Sequence, residues 1–352
     1  GAGFNTGFKW SGAKASKGDR KYIVCNADEG EPGTFKDRVI LENDPHTVLE
    51  GILIAAYAVG ASNAIIYCRG EYEKQIGLLR HAVKQVQEKG LAGDVTVEVY
   101  SGAGSYVCGE ETALLNSIEG KRAEPRMKPP YPTVAGAFGK PTVVNNVETF
   151  ANVPVIVSKG AEWYSQVGAK DYPGTKIFSI SGDVKRPGCY EVATDATLNN
   201  VVIDLAGGVR DGHTLKAIQL GGSSCGYIKG SRLDQPVDFD SLRRNGKSLG
   251  SGAVLVLNET HNMVDQVQQI LHFMCHESCG KCTPCREGLY QACQLIDKFA
   301  ASQGTEQDLQ MLQSLFELMS KDCFCALGQG ALTAFVSAYE NFPEDFAERM
   351  VK

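Results

Sequence analysis

The chain has 352 residues, 43% apolar and 22% charged, and its 35 Lys and Arg against 41 Asp and Glu leave a net charge of −6. That length predicts two or three domains, and the modest acidic balance, without a basic block, argues against nucleic-acid binding. The longest apolar run, Ile52 to Val59, is too short to span a bilayer, so no direct membrane insertion is expected. Twelve cysteines without a secretion signal predict a reducing, cytoplasmic setting. The amino end, Gly1-Ala2-Gly3-Phe4, lacks an initiator Met, and the expectation is a sequence that starts part-way into a longer chain.

Residues 1–20 are rich in Gly, Ser, Thr and Lys and read as a loop whose bare backbone N–H groups suit a phosphate or a flat cofactor. Tyr22 to Cys25 reads as a short buried strand. It runs into Asn26-Ala27-Asp28-Glu29-Gly30-Glu31, three carboxylates in four residues at a strand's carboxyl end. In an open α/β sheet that edge is where ligands bind. Standing alone, the same residues would be a solvated acidic turn. Asp44 and Pro45 cap and start a buried helix that runs to Val59. Ala64 to Cys68 is the next strand. Glu73 to Lys89 is an amphipathic helix with Ile76, Leu79, Val83 and Val86 on one face. Val95 to Tyr100 alternates as a strand, and this β-α-β-α-β order predicts a parallel, Rossmann-like sheet.

The third strand enters Gly102-Ala103-Gly104-Ser105-Tyr106-Val107-Cys108-Gly109-Glu110-Glu111, and a helix is predicted from Glu110 to Glu119. Strand, glycine loop and helix start form the geometry of nucleotide phosphate binding. The third glycine is displaced from the dinucleotide fingerprint, which points to a flavin or a non-standard nucleotide. Glu110 and Glu111 either belong to that site or offset the helix dipole. The basic, proline-rich stretch 121–145 holds no regular helix and is expected to cover a cofactor. Asn145 and Asn146 precede a helix running through Val157, as its cap or as contacts to a cofactor's polar edge. Residues 174–225 change to a β-β-α-β order that predicts a small ubiquitin-like α+β module, with Cys189 and Cys225 as packing residues. Ala253 to Leu257 is a last strand, and from Asn262 onward four helices predict a bundle.

Seven of the cysteines fall between 275 and 325. Cys279, Cys282 and Cys285 stand at Cys-x2-Cys-x2-Cys spacing, which a tight turn can aim at one point. A fourth thiol would complete a [4Fe-4S] cluster, and by spacing Cys323 and Cys325 both fit. Zinc favours two separated Cys-x2-Cys pairs and matches the close triplet less well. Cys275 reads as a buried helix residue and His276 as a surface one.

The motifs Gly-Ala-Gly-Phe-Asn-Thr-Gly-Phe-Lys-Trp at 1–10, Cys-Asn-Ala-Asp-Glu-Gly-Glu-Pro-Gly-Thr at 25–34, Gly-Ala-Gly-Ser-Tyr-Val-Cys-Gly-Glu-Glu-Thr at 102–112, Lys128-Pro129-Pro130, Glu-Ser-Cys-Gly-Lys-Cys-Thr-Pro-Cys-Arg-Glu-Gly at 277–288 and Cys325-Ala326-Leu327-Gly328 occur in this order. In this, essentially the whole chain resembles the flavin- and NADH-binding subunit of respiratory complex I and its relatives in NAD-linked hydrogenases, formate dehydrogenases and electron-bifurcating complexes. Two positions depart from the family pattern: Asn5 replaces a proline and Gly12 an aromatic residue.

The resemblance implies an FMN- and NAD(H)-binding Rossmann-like domain over 1–168, a ubiquitin-like, soluble-ligand-binding-like domain over 169–258, and a four-helix bundle with the [4Fe-4S] cluster over 259–352. It implies FMN contacts at Gly1, Lys9, Asn26, Asp28, Glu29, Tyr106, Gly109, Glu110, Asn145 and Asn146, with Gly3 also a cofactor-binding residue. NAD(H) would stack near Phe4 and meet Glu31, Glu111, Lys128 and Tyr131. Lys9, Glu31 and Glu111 are the residues expected to bear on the reaction. The family's Cys-Ala-Leu-Gly motif selects Cys325 as the fourth cluster ligand beside Cys279, Cys282 and Cys285. The implied function is an NADH–acceptor oxidoreductase (diaphorase) subunit, in a soluble hydrogenase, formate dehydrogenase or bifurcating complex. A respiratory complex I subunit or a non-catalytic iron–sulfur relay is the alternative, and a zinc-organised scaffold a third reading. The implied partners are a small [2Fe-2S] thioredoxin-like subunit and a larger iron–sulfur or catalytic subunit.

Overall fold

The computed structural model describes residues 3–244 and 248–351, which form two compact units. The first holds residues up to Gly30 and Phe35–Gln166, the second Glu31–Thr34 and Val167 onward. Gly1 lies outside the described residues.

The first unit begins with helix α1 (Thr6–Ala15), whose start is capped by the Asn5 side chain accepting from Phe8 N–H at 3.1 Å. The expected loop is therefore a helix. Its glycines lower helix propensity, but Gly12 is where the helix meets the Thr133 side chain, 3.5 Å from where a Cβ would sit. Strand β1 (Tyr22–Ala27) follows, then α2 (Lys36–Asn43), α3 (Pro45–Val59), β2 (Asn63–Cys68), α4 (Glu73–Glu88), β3 (Thr96–Ser101) and α5 (Glu111–Ile118). Asp44 caps α3 by accepting from Thr47 N–H, with Pro45 in the first turn, as the sequence predicts. Strand β4 (Thr142–Asn146) and helix α6 (Val147–Lys159) complete the unit's main elements.

The sheet runs β3-β2-β1-β4, all parallel. Strand β4 is a finding beyond the sequence reading, which ran this stretch directly into a helix. The run passes from strand to helix without a turn residue, so periodicity hides the change. Its register sets Asn145 beside Cys25 and Asn146 beside Asn26. Ile23, Cys25, Ala64, Ile66, Val97 and Val143 face a core built with α3 and α4, and Val24, Ile65, Tyr67 and Val144 face a second core with α5. Both faces of β1 and β2 are buried, which is why these strands read as continuous apolar runs, whereas the edge strand β3 alternates.

The second unit carries strands β5 (Thr175–Gly182), β6 (Gly188–Ala193), β7 (Leu215–Leu220), β8 (Tyr227–Lys229) and β9 (Ala253–Asn258) in the order β8-β7-β9-β5-β6. Among these described strands only β9 and β5 pair in parallel. The predicted short helix appears as a π-type turn over Asn200–Leu205, packing Val201 and Val202 into the core under the sheet. Strand β8 was not foreseen, being only three residues long. Helices α7 (Met263–Glu277), α8 (Thr283–Ala300), α9 (Glu306–Asp322), α10 (Ala326–Gly330) and α11 (Thr333–Asn341) follow. A capping box joins Thr305 and Asp308 at the start of α9. The last predicted helix, Gly330–Tyr339, is observed as α11, with the short α10 preceding it. No described helix is long and apolar enough to cross a membrane.

Candidate functional site

In the first unit the predicted residues gather at the carboxyl edge of the parallel sheet. Asn26 ends β1, Asn145 and Asn146 end β4, and a 3-10 turn (Tyr106–Gly109) leads from β3 into α5. Asn26 donates to the Gly109 carbonyl at 2.9 Å and accepts from Asp28 N–H at 3.1 Å. A Cβ on Gly30 would come within 3.2 Å of the Tyr106 backbone, so a bare glycine lets that turn close onto the β1 loop. Gly3 sits at φ +81, a conformation that glycine adopts without strain.

Lys9 projects from α1 to the same edge. Its ammonium donates to Glu111 Oε2 at 2.9 Å and to the Val144 carbonyl at 3.0 Å, and lies 5.6 Å from the Phe4 ring centroid. Lys128 contacts both Glu110 Oε1 and Glu111 Oε1 at 3.0 Å. Burial alone would raise the Glu111 carboxyl, but the charges of Lys9 and Lys128 hold it below its ordinary pKa. Glu111 is thus an anion clamped between two cations at the first turn of α5. Glu110 also serves as the cap of α5, accepting from Thr112 and Ala113 N–H at 2.8 and 2.9 Å. Phe4 and Tyr131 are exposed, Phe4 at 75%.

Glu29 goes elsewhere. It is buried, and its two oxygens accept from Asp37 N–H (2.9 Å), Arg38 N–H (3.1 Å) and the Tyr72 hydroxyl (3.1 Å). It caps the start of α2, where the first N–H groups lack intrahelical partners. Burial, then the charge of Asp37, pushes its carboxyl up to about 7.

Beneath the two asparagines lies a buried charge cluster that sequence reasoning missed. Lys36, 2% exposed, contacts Asp37 Oδ1 at 2.5 Å, Asn146 Oδ1 at 3.0 Å and Glu148 Oε2 at 3.2 Å. Asn146 donates to Asp37 Oδ2 at 2.6 Å and caps α6 by accepting from Glu148 N–H at 3.1 Å. Trp10 Nε1 donates to Asn145 Oδ1 at 2.9 Å. The signal was Lys36-Asp37-Arg38 directly after the acidic motif, which looked like an ordinary charged helix start. For a flavin the observed fit is good: polar side chains, closely approachable glycine backbone and a cation meet at the strand ends, where open α/β sheets bind ligands.

In the second unit five thiols come together. Cys279, Cys282 and Cys285 lead into α8, where Pro284 lies in the first turn, and Gly280 takes φ +73 between the first two. Cys325 is the N-cap of α10, and Cys323 ends α9. Phe324 N–H points at Cys282 Sγ at 3.5 Å, and the Ser278 hydroxyl lies 3.2 Å from Cys285 Sγ. Burial pushes the Cys325 thiol up to about 11 against the backbone N–H groups of Leu327 and Gly328. A hydrogen bond with Cys323 draws Cys285 down to about 6. Cys323 is buried against Gly328, whose added Cβ would lie 2.7 Å from its Sγ. Among the described residues no group of three or more His, Cys, Asp or Glu is placed to hold a single metal ion. A four-iron cluster instead carries one iron per thiolate and needs its ligands set apart by the body of the cluster. Thiols with backbone N–H groups aimed at them suit that anionic group. Cys275, expected to be buried, is half-exposed on α7 and faces Cys293.

Glu31 also belongs to the second unit. Its Oε1 accepts from both the backbone N–H and the hydroxyl of Ser223, each at 2.6 Å.

Comparison with known proteins matches the chain to cofactor-binding domains. Residues 1–155 match the Nuo51 FMN-binding domain, 265–349 the NADH-ubiquinone oxidoreductase-F iron-sulfur binding region, and 177–227 the SLBB domain. The NADH-quinone oxidoreductase F-subunit 2 of Rhizobium meliloti (strain 1021) is 45% identical, covering 98% of this chain and 84% of that relative. The HndC subunit of the NADP-reducing hydrogenase of Solidesulfovibrio fructosivorans is 43% identical over 98% of this chain and 72% of its own length. The crystal structure of an NAD+-reducing [NiFe]-hydrogenase in the H2-reduced state matches with a TM-score of 0.93 at 38% identity, over 99% of this chain and 60% of that chain.

Proposed function

The chain belongs to the NADH-quinone oxidoreductase-F family, and from that premise we propose that it works as the diaphorase subunit of a soluble redox complex. It is an FMN- and [4Fe-4S]-dependent oxidoreductase subunit that uses NAD(H). The complex proposed is a hydrogenase, formate dehydrogenase or bifurcating assembly in the cytoplasm. Within it a small [2Fe-2S] thioredoxin-like subunit and a larger iron–sulfur or catalytic subunit exchange electrons with this chain. The proposed domain boundaries are 1–168, 169–258 and 259–352, the second ubiquitin-like and the third a four-helix bundle.

The observation that carries the reading is the convergence of Lys9, Asn26, Glu111, Lys128, Asn145 and Asn146 at one edge of the parallel sheet. When bound, FMN supplies the exchange between a two-electron hydride donor and one-electron iron–sulfur carriers. Asn26, Asn145, Asn146 and the Tyr106–Gly109 turn, with Asp28, Glu110, Gly1 and Gly3, would hold that flavin, while the Glu29 carboxylate is committed to the start of α2. Lys9, fixed by Glu111 and the Val144 carbonyl, sets a positive charge at the edge, favouring electron-rich flavin. Phe4, Lys128 and Tyr131 receive NAD(H), and Glu31 is assigned to the same substrate by its motif. Glu111, held as an anion, disfavours a 2′-phosphate and so favours NAD over NADP. Cys279, Cys282, Cys285 and Cys325 would hold the cluster.

The test is an anaerobic visible spectrum of the purified complex before and after NADH. The expected result is flavin bleaching with loss of broad iron–sulfur absorbance. A cluster spectrum with no flavin and no NADH response would establish the relay reading instead.

A further inference from the structure

We propose that Ser223 is the positioning residue for the Glu31 carboxylate. The inference rests on the assignment of Glu31 to NAD(H) made above. Glu31-Pro32-Gly33-Thr34 closes a four-residue turn, with Thr34 N–H donating to the Glu31 carbonyl at 3.0 Å and Gly33 at φ +80. Pro second and Gly third is the pattern of a type II turn. Both ends of the turn are tied into the second unit. At one end Ser223, 2% exposed, gives Glu31 Oε1 two donors, backbone and hydroxyl, each at 2.6 Å. At the other end the Thr34 hydroxyl meets the Ser251 hydroxyl, which in turn reaches the Gly221 carbonyl at 3.2 Å.

The loop that delivers Ser223 is built of glycines for a visible reason. Gly221 and Gly222 stand at φ +100 and +106. An added Cβ on Gly222 would overlap the Glu31 side chain, and one on Gly221 would lie 2.7 Å from Cys225 Sγ. The backbone at Gly222 is thus pressed against the Glu31 side chain. Two donors on one oxygen hold that end of the carboxylate in place. Holding a group within a fraction of an ångström of its productive place is what separates fast from slow transfer in a preorganised site. Ser223 touches Glu31 and acts through it.

The experiment is stopped-flow flavin bleaching in the purified complex at rising NADH, with Ser223→Ala, Ser223→Thr, Glu31→Ala and the Glu31→Ala/Ser223→Ala pair. Ser223→Ala removes the hydroxyl donor and keeps the backbone one. Its limiting bleaching rate is expected to fall roughly tenfold, with iron content and the cluster's EPR signal unchanged. Ser223→Thr, which retains the hydroxyl, should recover the wild-type rate. In the Glu31→Ala background Ser223→Ala should add nothing, because the group it positions is gone. An unchanged rate in Ser223→Ala, a Ser223→Thr as slow as Ser223→Ala, or a Ser223→Ala loss that persists without the Glu31 carboxylate each overturns the proposal. Wild-type flavin that NADH does not bleach would instead refute the functional reading beneath it.

Discussion

Lys36 is the residue whose removal the structure makes most costly in the flavin-binding unit. Its ammonium is the cation within contact distance of two buried carboxylates, Asp37 and Glu148. Burial opposes the charge on Lys36, yet Asp37, Glu148 and Glu29 together raise its pKa well above the usual lysine value, so it stays charged at every accessible pH. Lys36→Met keeps the length of the side chain and deletes the charge. Asp37 and Glu148 are then left buried without their counter-ion, a loss of about 3–5 kcal/mol when one partner of a buried pair is removed. For a unit of this size about 2–4 °C accompanies each kcal/mol, so the melting temperature should fall by roughly 6–20 °C.

The pH dependence gives the decisive sign. In the variant Glu29 loses the Lys36 charge that draws its carboxyl down, so its pKa, already raised to about 7 by burial, rises further. A carboxyl with a raised folded pKa contributes stability that is complete below its unfolded pKa and lost as pH rises through the folded one. The gap to wild type should therefore be small near pH 5 and wide near pH 8. Glu29 follows the same sign in wild type, losing its contribution between its ordinary pKa of 4.5 and about 7, so the comparison is of differences, not absolute curves. The assay is thermal unfolding followed by tryptophan fluorescence and by release of flavin fluorescence, at several pH values. Asn146 loses its Lys36 partner, so flavin release should precede unfolding. A shift below about 2 °C, or a gap of the same size at pH 5 and pH 8, would refute the account of this cluster.

Other outcomes follow from the same geometry. Cys325→Ser should abolish the [4Fe-4S] EPR signal and lower iron content, whereas Cys323→Ser should retain both; loss of the cluster in Cys323→Ser alone would reassign the fourth ligand. Glu111→Gln removes the charge that Lys9 and Lys128 hold in place. The NADH/NADPH ratio of kcat/KM should then fall about tenfold, the scale of a single charge contact, and an unchanged ratio would remove Glu111 from cofactor choice.

Much of the site was legible because its chemistry needs particular residue types at short spacing. Three thiols two residues apart, with Gly280 and Pro284 between them, announce a cluster whatever the surrounding fold. Likewise the alternation of buried strands with amphipathic helices such as Glu73–Glu88 gives the parallel sheet, since both signals repeat within one element. Asp44 and Pro45 mark a helix start by local bonding alone. The same locality misled at residues 6–15, where glycine content suggested a loop although Asn5 caps a helix.

Long-range pairing was not legible. Asn145 and Asn146 read equally as helix cap or cofactor contact, and only the register of β4 against β1 sets Asn146 beside Asn26 and over Lys36. The three carboxylates of Asp28, Glu29 and Glu31 look alike in sequence, yet Glu29 turns inward to cap α2 while Glu31 turns to Ser223, 192 residues away. Glu31 and Ser223, like Lys36 and Asn146 across 110 residues, meet only once the chain has folded. A periodicity records what one element buries, and spacing records what one turn can bring together. The sequence by itself therefore determined the strongly periodic elements, the cofactor classes and the candidate thiols of the cluster, but not α1, β4 or β8. Tertiary structure decided which charges are buried together and where each carboxylate points, because those depend on contacts between segments distant in the chain.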